Sequence, residues 1–282
     1  MRAPLLVAAA VATSITGIGT ASAARAPHAT PSADPTRTYT IPGAAVYPES
    51  VGVSKADHTF FVGATGDGTV FRGTFEGSTT EVFLPGGSDG RTTVIGVKVD
   101  GPYLLLAGGA TGQFFVYDRR TGAFIKKFVV PPTGAPTFVN DVAIARSGDL
   151  YVTDSLRPTI YRIPAAEVST PSADPVELVP WIDVSSIYVT GFNLNGIVAT
   201  SHDRYLVAAQ TATGMLWRIT IADKTIHQVN LGSQRSEGAG VFAANDATSN
   251  HDEFLRQCLQ LQNFIRVMHT VVFEWKFRRP QR

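Results

Sequence analysis

Glu49, Asn140 and Asn195 each stand just ahead of an apolar strand in a strand-turn-strand unit that recurs along the chain, as Glu49-Ser50-Val51, Asn140-Asp141-Val142 and Asn195-Gly196-Ile197. Repeated units arranged about an axis bring residues of one register together near it. Three oxygen-bearing side chains at such a place predict a site for one hard divalent cation, Ca2+ before any thiolate-seeking metal. Taken singly, each residue has a plainer role, Glu49 ending a strand and the two Asn satisfying turn backbone. Their shared register is what favours the cation.

The elements that must carry these residues follow one order. An apolar strand leads through a short polar turn to a second apolar strand, then a Gly-containing hairpin and a third strand that closes on an aromatic and a basic residue. Four such segments begin at Glu49, Thr93, Asn140 and Asn195, about 44, 47 and 55 residues apart. That interval suits a four-stranded propeller blade with loops of varying length. Asp67-Gly68, Thr121-Gly122, Ser147-Gly148 and Thr213-Gly214 fall between apolar runs, where positive φ reverses a strand at little cost. The predicted fold is all-β: a β-propeller of the six-bladed type, with four to five blades recognisable over residues 38–246, followed by a C-terminal helix.

Other chemistries find less support. The Gly-rich run at 63–68 lies between strands with no helix after it, which excludes a phosphate loop. His58, His202 and His227 are dispersed without metal-ligand spacing, and Ser50, Ser155 and Ser201 lack the flanking glycines of a serine-hydrolase elbow. Asp154 ends a strand and reads as the cap of the next turn. The Pro-rich stretch around 165–190 reads as a long loop, with Trp181 and Tyr188 as candidate substrate contacts.

Composition sets the frame. The 282 residues are 44% hydrophobic and 17% charged, which is globular. Residues 24–246 carry 17 Lys/Arg against 20 Asp/Glu. With no basic stripe interleaved with aromatics, no nucleic-acid partner is expected. Residues 1–23 read as a signal peptide, with Arg2, an apolar run and then Ala21-Ser22-Ala23 in the small-x-small pattern. The run nears the length of a membrane span, yet it is rich in Ala, Thr and Gly and meets the cleavage pattern at once. The expectation is therefore a secreted, extracytoplasmic protein with no stable membrane insertion after cleavage. Residues 24–37 read as a flexible leader.

Residues 247–282 change character, holding none of the 26 Gly and the single Cys, Cys258, which excludes an intrachain disulfide. Phe254, Cys258, Leu261, Ile265, Met268 and Val272 are spaced 4, 3, 4, 3, 4, and Asn250 precedes them as a cap, so a helix of about six turns is predicted. Residues 41–246 supply about four and a half units, so a six-unit ring would lack its last blades. The expectation is a truncated or frame-shifted end.

Tyr47-Pro48-Glu49-Ser50, Phe138-Val139-Asn140-Asp141, Leu150-Tyr151-Val152-Thr153-Asp154-Ser155 and Asn193-Leu194-Asn195-Gly196-Ile197, in this order, resemble the regucalcin/gluconolactonase family over roughly residues 38–241. The resemblance implies a six-bladed propeller with one divalent cation, often calcium, in its central channel, held by a Glu, two Asn and an Asp. It implies hydrolysis of small-molecule lactones or related esters. Glu49, Asn140 and Asn195 match the first three ligands. The fourth departs: where the family has Asp-Gly-apolar, this chain has Glu237-Gly238-Ala239-Gly240-Val241, and Asp246 matches by interval but not by its flanks. That departure leaves the catalytic residue unassigned and keeps two alternatives open, a non-catalytic propeller that binds a ligand or protein and an inactive truncated product.

Overall fold

The continuous apolar runs become strands buried on both faces, most fully in the second and third sheets, which each lie between two others. A computed structural model describes residues 37–200, 202–230 and Val272–Phe273, all within the unit Thr36–Trp275. Strand β1 (Arg37–Thr38) leads in. The first sheet is β2 (Pro48–Ser54), β3 (Thr59–Ala64), β4 (Val70–Thr74) and β5 (Glu81–Leu84), antiparallel in chain order. The second is β6 (Val97–Asp100), β7 (Tyr103–Ala107), β8 (Gln113–Asp118) and β9 (Phe124–Val129).

The third sheet opens with β10 (Val139–Ile144), β11 (Leu150–Asp154) and β12 (Thr159–Ile163). Before its outer strand the chain makes β13 (Val176–Glu177), which pairs in parallel with β9 of the second sheet through Val176 and Phe128. It then returns as β14 (Val179–Asp183) to pair with β12. The fourth sheet is β15 (Leu194–Ala199), β16 (Tyr205–Gln210), β17 (Met215–Thr220) and β18 (Ile226–Gln228). Finally β19 (Val272–Phe273) pairs antiparallel with β1. Tight turns join the strands, with Gly148 at φ 85° and Gly214 at φ 64° in the left-handed region that other residues avoid.

Three apolar layers hold the sheets face to face. Phe61, Val70 and Leu84 meet Val97, Leu104, Leu106 and Phe115 between the first two sheets. Leu105, Phe114 and Val116 meet Val142, Leu150 and Val152 between the second and third, and Tyr151 and Ile160 meet Ile197, Leu206 and Ile219 between the third and fourth. Burial of each such side chain stabilises the fold by about 1.5–3 kcal/mol. The outer strands β5, β14 and β18 are largely exposed. This gradient from buried inner strands to wet outer ones follows from sheets set radially about an axis.

Four blades are described, and three of them begin their repeat at the positions read from the sequence. The stretch at 165–190 is not a long loop: it contains a four-residue helix Ala165–Val168, the cross-sheet strand β13 and the whole outer strand β14. Pairing with two sheets gives its backbone the hydrogen bonds that a loop would take from water. Of the residues in the expected helical stripe from Phe254 to Val272, all but the last lie outside the described residues. Val272 belongs to β19, which corrects the stripe at that end. Residues 1–36 and 231–246 also lie outside, with Glu237, Ala239 and Asp246 among them. No described helix is long and apolar enough to cross a membrane.

Candidate functional site

The three residues singled out by type occupy one structural position in three blades. In the first, Pro48 pairs with Ala64 and Val51 with Val62, so the inner strand advances three residues while its partner advances two. The third repeats this between Val139/Asp154 and Val142/Val152, and the fourth between Leu194/Gln210 and Ile197/Ala208. Each is a β-bulge, and the pairs inside the bulges are Glu49-Ser50, Asn140-Asp141 and Asn195-Gly196. A bulge bends its strand and re-aims the side chains it carries. In the second blade, Ile95 N–H donates to Ala107 O at 2.8 Å, and Ala107 N–H donates to Gly96 O at 2.9 Å. The register start is therefore Ile95, not Thr93, and it is apolar.

Local hydrogen bonds fix the two amides. Asn140 Nδ2 donates to Ser155 Oγ at 2.9 Å, and Ser155 Oγ donates to Leu194 O at 2.7 Å. Asn195 Nδ2 donates to Thr211 Oγ1 at 3.2 Å. With both NH2 groups turned to hydroxyls, each Oδ1 is left as an oxygen acceptor with no protein donor among the described residues. Thr153, fully buried at the end of β11, ties the third and fourth blades: its Oγ1 donates to Asn195 O at 2.7 Å and accepts the Asp141 N–H at 3.2 Å. Asn140 and Asn195 are thus brought together through Ser155 and Thr153.

Glu49 joins them through charge. Partial burial pushes its carboxyl up to about 7, helped by the neighbouring Asp141 carboxylate and opposed by the Lys98 ammonium. Lys98 Nζ lies 3.2 Å from Asp141 Oδ2, and the Ile197 N–H donates to the same oxygen at 3.2 Å. Asp141 therefore touches the second and fourth blades from its place in the third. Gly96 makes this possible: a β-carbon there would sit 2.5 Å from Asn140 O. Sequence reasoning treated Asp141 only as the neighbour of Asn140 and did not single out Lys98. The available signal was a charged residue directly before a buried valine, where its counterparts are Ser50, Gly96 and Gly196.

One flank of the site is apolar. Phe138, two residues before Asn140, meets Phe192 edge to face at 4.9 Å. Gly109 lies against Ile95 and Phe138 with no space for a side chain. Phe192 and Val189 are exposed by 40% and 38%. Other candidates fall elsewhere. Asp154 Oδ1 accepts the N–H groups of Phe138, Leu156 and Arg157 at 2.8–3.1 Å, the turn cap its position predicts. Trp181 lies on the outer strand β14, edge-on to Tyr151, and the Tyr188 hydroxyl donates to Leu156 O at 2.8 Å. Both make packing contacts in these places. No cluster of three His, Cys, Asp or Glu with metal-binding geometry occurs among the described residues.

Comparison with known proteins bears on the fold. No family model and no curated protein sequence matches the chain. In three dimensions it is similar to streptogramin B lyase, with a TM-score of 0.54 and 11% identity, over 73% of this chain and 62% of that one. It is similar also to U3-55K, with a TM-score of 0.51 and 16% identity over 68% and 54%. The hydrazine synthase of Kuenenia stuttgartiensis gives a TM-score of 0.51 and 16% identity over 66% and 50%. The chain thus spans between 50% and 62% of the length of these structures. Identities this low carry the fold alone. Strand order, radial burial and these likenesses agree on an all-β propeller with four described blades.

Proposed function

We propose that this chain is a secreted, divalent-cation-dependent hydrolase that opens lactones or related esters, of the regucalcin/gluconolactonase type. The observation that carries the reading is the set of matching bulges that hold Glu49, Asn140 and Asn195 at one register. The donor chemistry fits a hard cation: one carboxylate and two amide oxygens, the amides already turned by Ser155 and Thr211, with water completing a shell of about six to eight oxygens. When bound, Ca2+ would supply Lewis-acid polarisation of an ester carbonyl and acidify a water. The chain itself would orient the ligand oxygens and seat the acyl part of the substrate against Ile95, Phe138 and Phe192.

The test is hydrolysis by the purified full chain across sugar and aliphatic lactones, with Ca2+ and with chelator. Turnover that chelator abolishes and Ca2+ restores is the expected result, with aliphatic lactones preferred because of the apolar flank. Absence of metal-dependent turnover across the panel would sink the reading. The Lys98–Asp141 ion pair favours a second one, a propeller that binds a ligand without turnover, since a built-in ammonium already offsets one carboxylate near the axis. Ligand-induced stabilisation insensitive to chelator, with no hydrolysis, would establish that alternative.

A further inference from the structure

At the second position of the bulges, the four inner strands carry Ser50, Gly96, Asp141 and Gly196. Three are small and one is a carboxylate. Asp141 is 7% exposed. Lys98 Nζ and the Ile197 N–H, from blades on either side, both engage Oδ2, each at 3.2 Å. Oδ1 is buried and has no hydrogen-bond partner among the described residues. Leaving a buried acceptor unpaired is disfavoured by about 1–3 kcal/mol, and more for a charged group. Such an atom calls for a role, and a carboxylate oxygen with fixed direction and no donor is ready to bind a cation.

We propose that Asp141, through Oδ1, supplies the second carboxylate of the cation site, completing the set begun by Glu49, Asn140 and Asn195. The inference rests on the cation-dependent reading above. It answers the departure at 237–241: the carboxylate missing from the Asp-Gly-apolar pattern is provided by the third blade instead. Lys98 has a part in the same arrangement, because holding Oδ2 fixes the plane of the carboxylate. With Glu49 and Asp141 ionised and Lys98 charged, the three sum to −1, so a bound divalent cation leaves a net +1 suited to a developing oxyanion.

Terbium titration of the full chain tests this, read by luminescence sensitised through its aromatic residues, with lifetimes in H2O and D2O counting bound waters. Wild type should bind Tb3+ and release it to Ca2+. The near-isosteric Asp141→Asn should bind at least about tenfold more weakly and gain about one bound water, while Asp183→Asn on β14 changes neither. If Asp141→Asn keeps wild-type affinity and water count while Glu49→Gln loses binding, Asp141 only braces the blades and this inference alone is overturned. If wild type binds neither ion, the cation-dependent reading fails and this falls with it. Should Asp141→Asn not fold, Asp141→Glu decides, since displacing the oxygen by one methylene must alter affinity and hydration if it is a ligand. Unchanged values there overturn the proposal.

Discussion

Glu49 sits among influences that oppose one another: burial and the Asp141 carboxylate favour its neutral form, and Lys98 favours its charge, with the balance near 7. An acid whose folded value lies above its unfolded one holds its proton more firmly in the folded state. The stability it contributes is therefore fully present below about 4.5 and falls as pH rises through about 7. In the presence of chelator, the melting temperature should decline between about pH 5 and 7.5, and Glu49→Gln should flatten that decline. Thermal unfolding followed by circular dichroism checks it; an equally steep decline in Glu49→Gln would assign the effect to another group. The types and spacing of Glu49, Asn140 and Asn195 were legible in the sequence because each interrupts an apolar strand start. Asp141 was not, because its importance comes from Lys98 and Ile197, which approach from other blades.

Strands were readable from their apolar runs, but the bulges were not, since a bulge is a mismatch between two strands and only pairing reveals it. The same holds for β13 and β14, whose pairing partners lie in two different sheets. At this scale Thr153 is the residue on which the site's geometry turns, as one hydroxyl both receives the Asp141 N–H and reaches Asn195 O. Thr153→Val preserves shape and removes both bonds inside a dry junction. It should destabilise the protein by about 1–3 kcal/mol and weaken Ca2+ binding, with little change in the outer strands. Denaturant unfolding and calcium titration of the purified variant provide the check. A variant that loses stability yet binds Ca2+ as wild type does would show that the bulges keep their geometry without this tie.

Among the described residues the blades form successive layers, each packed on its neighbours, so damage to one layer should be felt separately from events at the axis. The blade period in the sequence conveyed this layering; the junction of β1 with β19 was hidden, because two-residue pairing across the length of the chain leaves no local pattern. Leu105 belongs to the apolar layer between the second and third blades and is not itself a proposed ligand. Leu105→Ala should cost about 2–5 kcal/mol. A cation held by the first, third and fourth blades would still stabilise that weakened ring by mass action, about 2.7 kcal/mol at a hundredfold excess over its dissociation constant. Leu105→Ala should therefore melt lower than wild type but keep the full Ca2+-induced rise, whereas Glu49→Gln, without cation, should melt no lower than wild type near neutral pH and show no rise. The reverse pattern, with the calcium response lost in Leu105→Ala and kept in Glu49→Gln, would place any bound cation away from the axis and separate the register of these three residues from metal binding altogether.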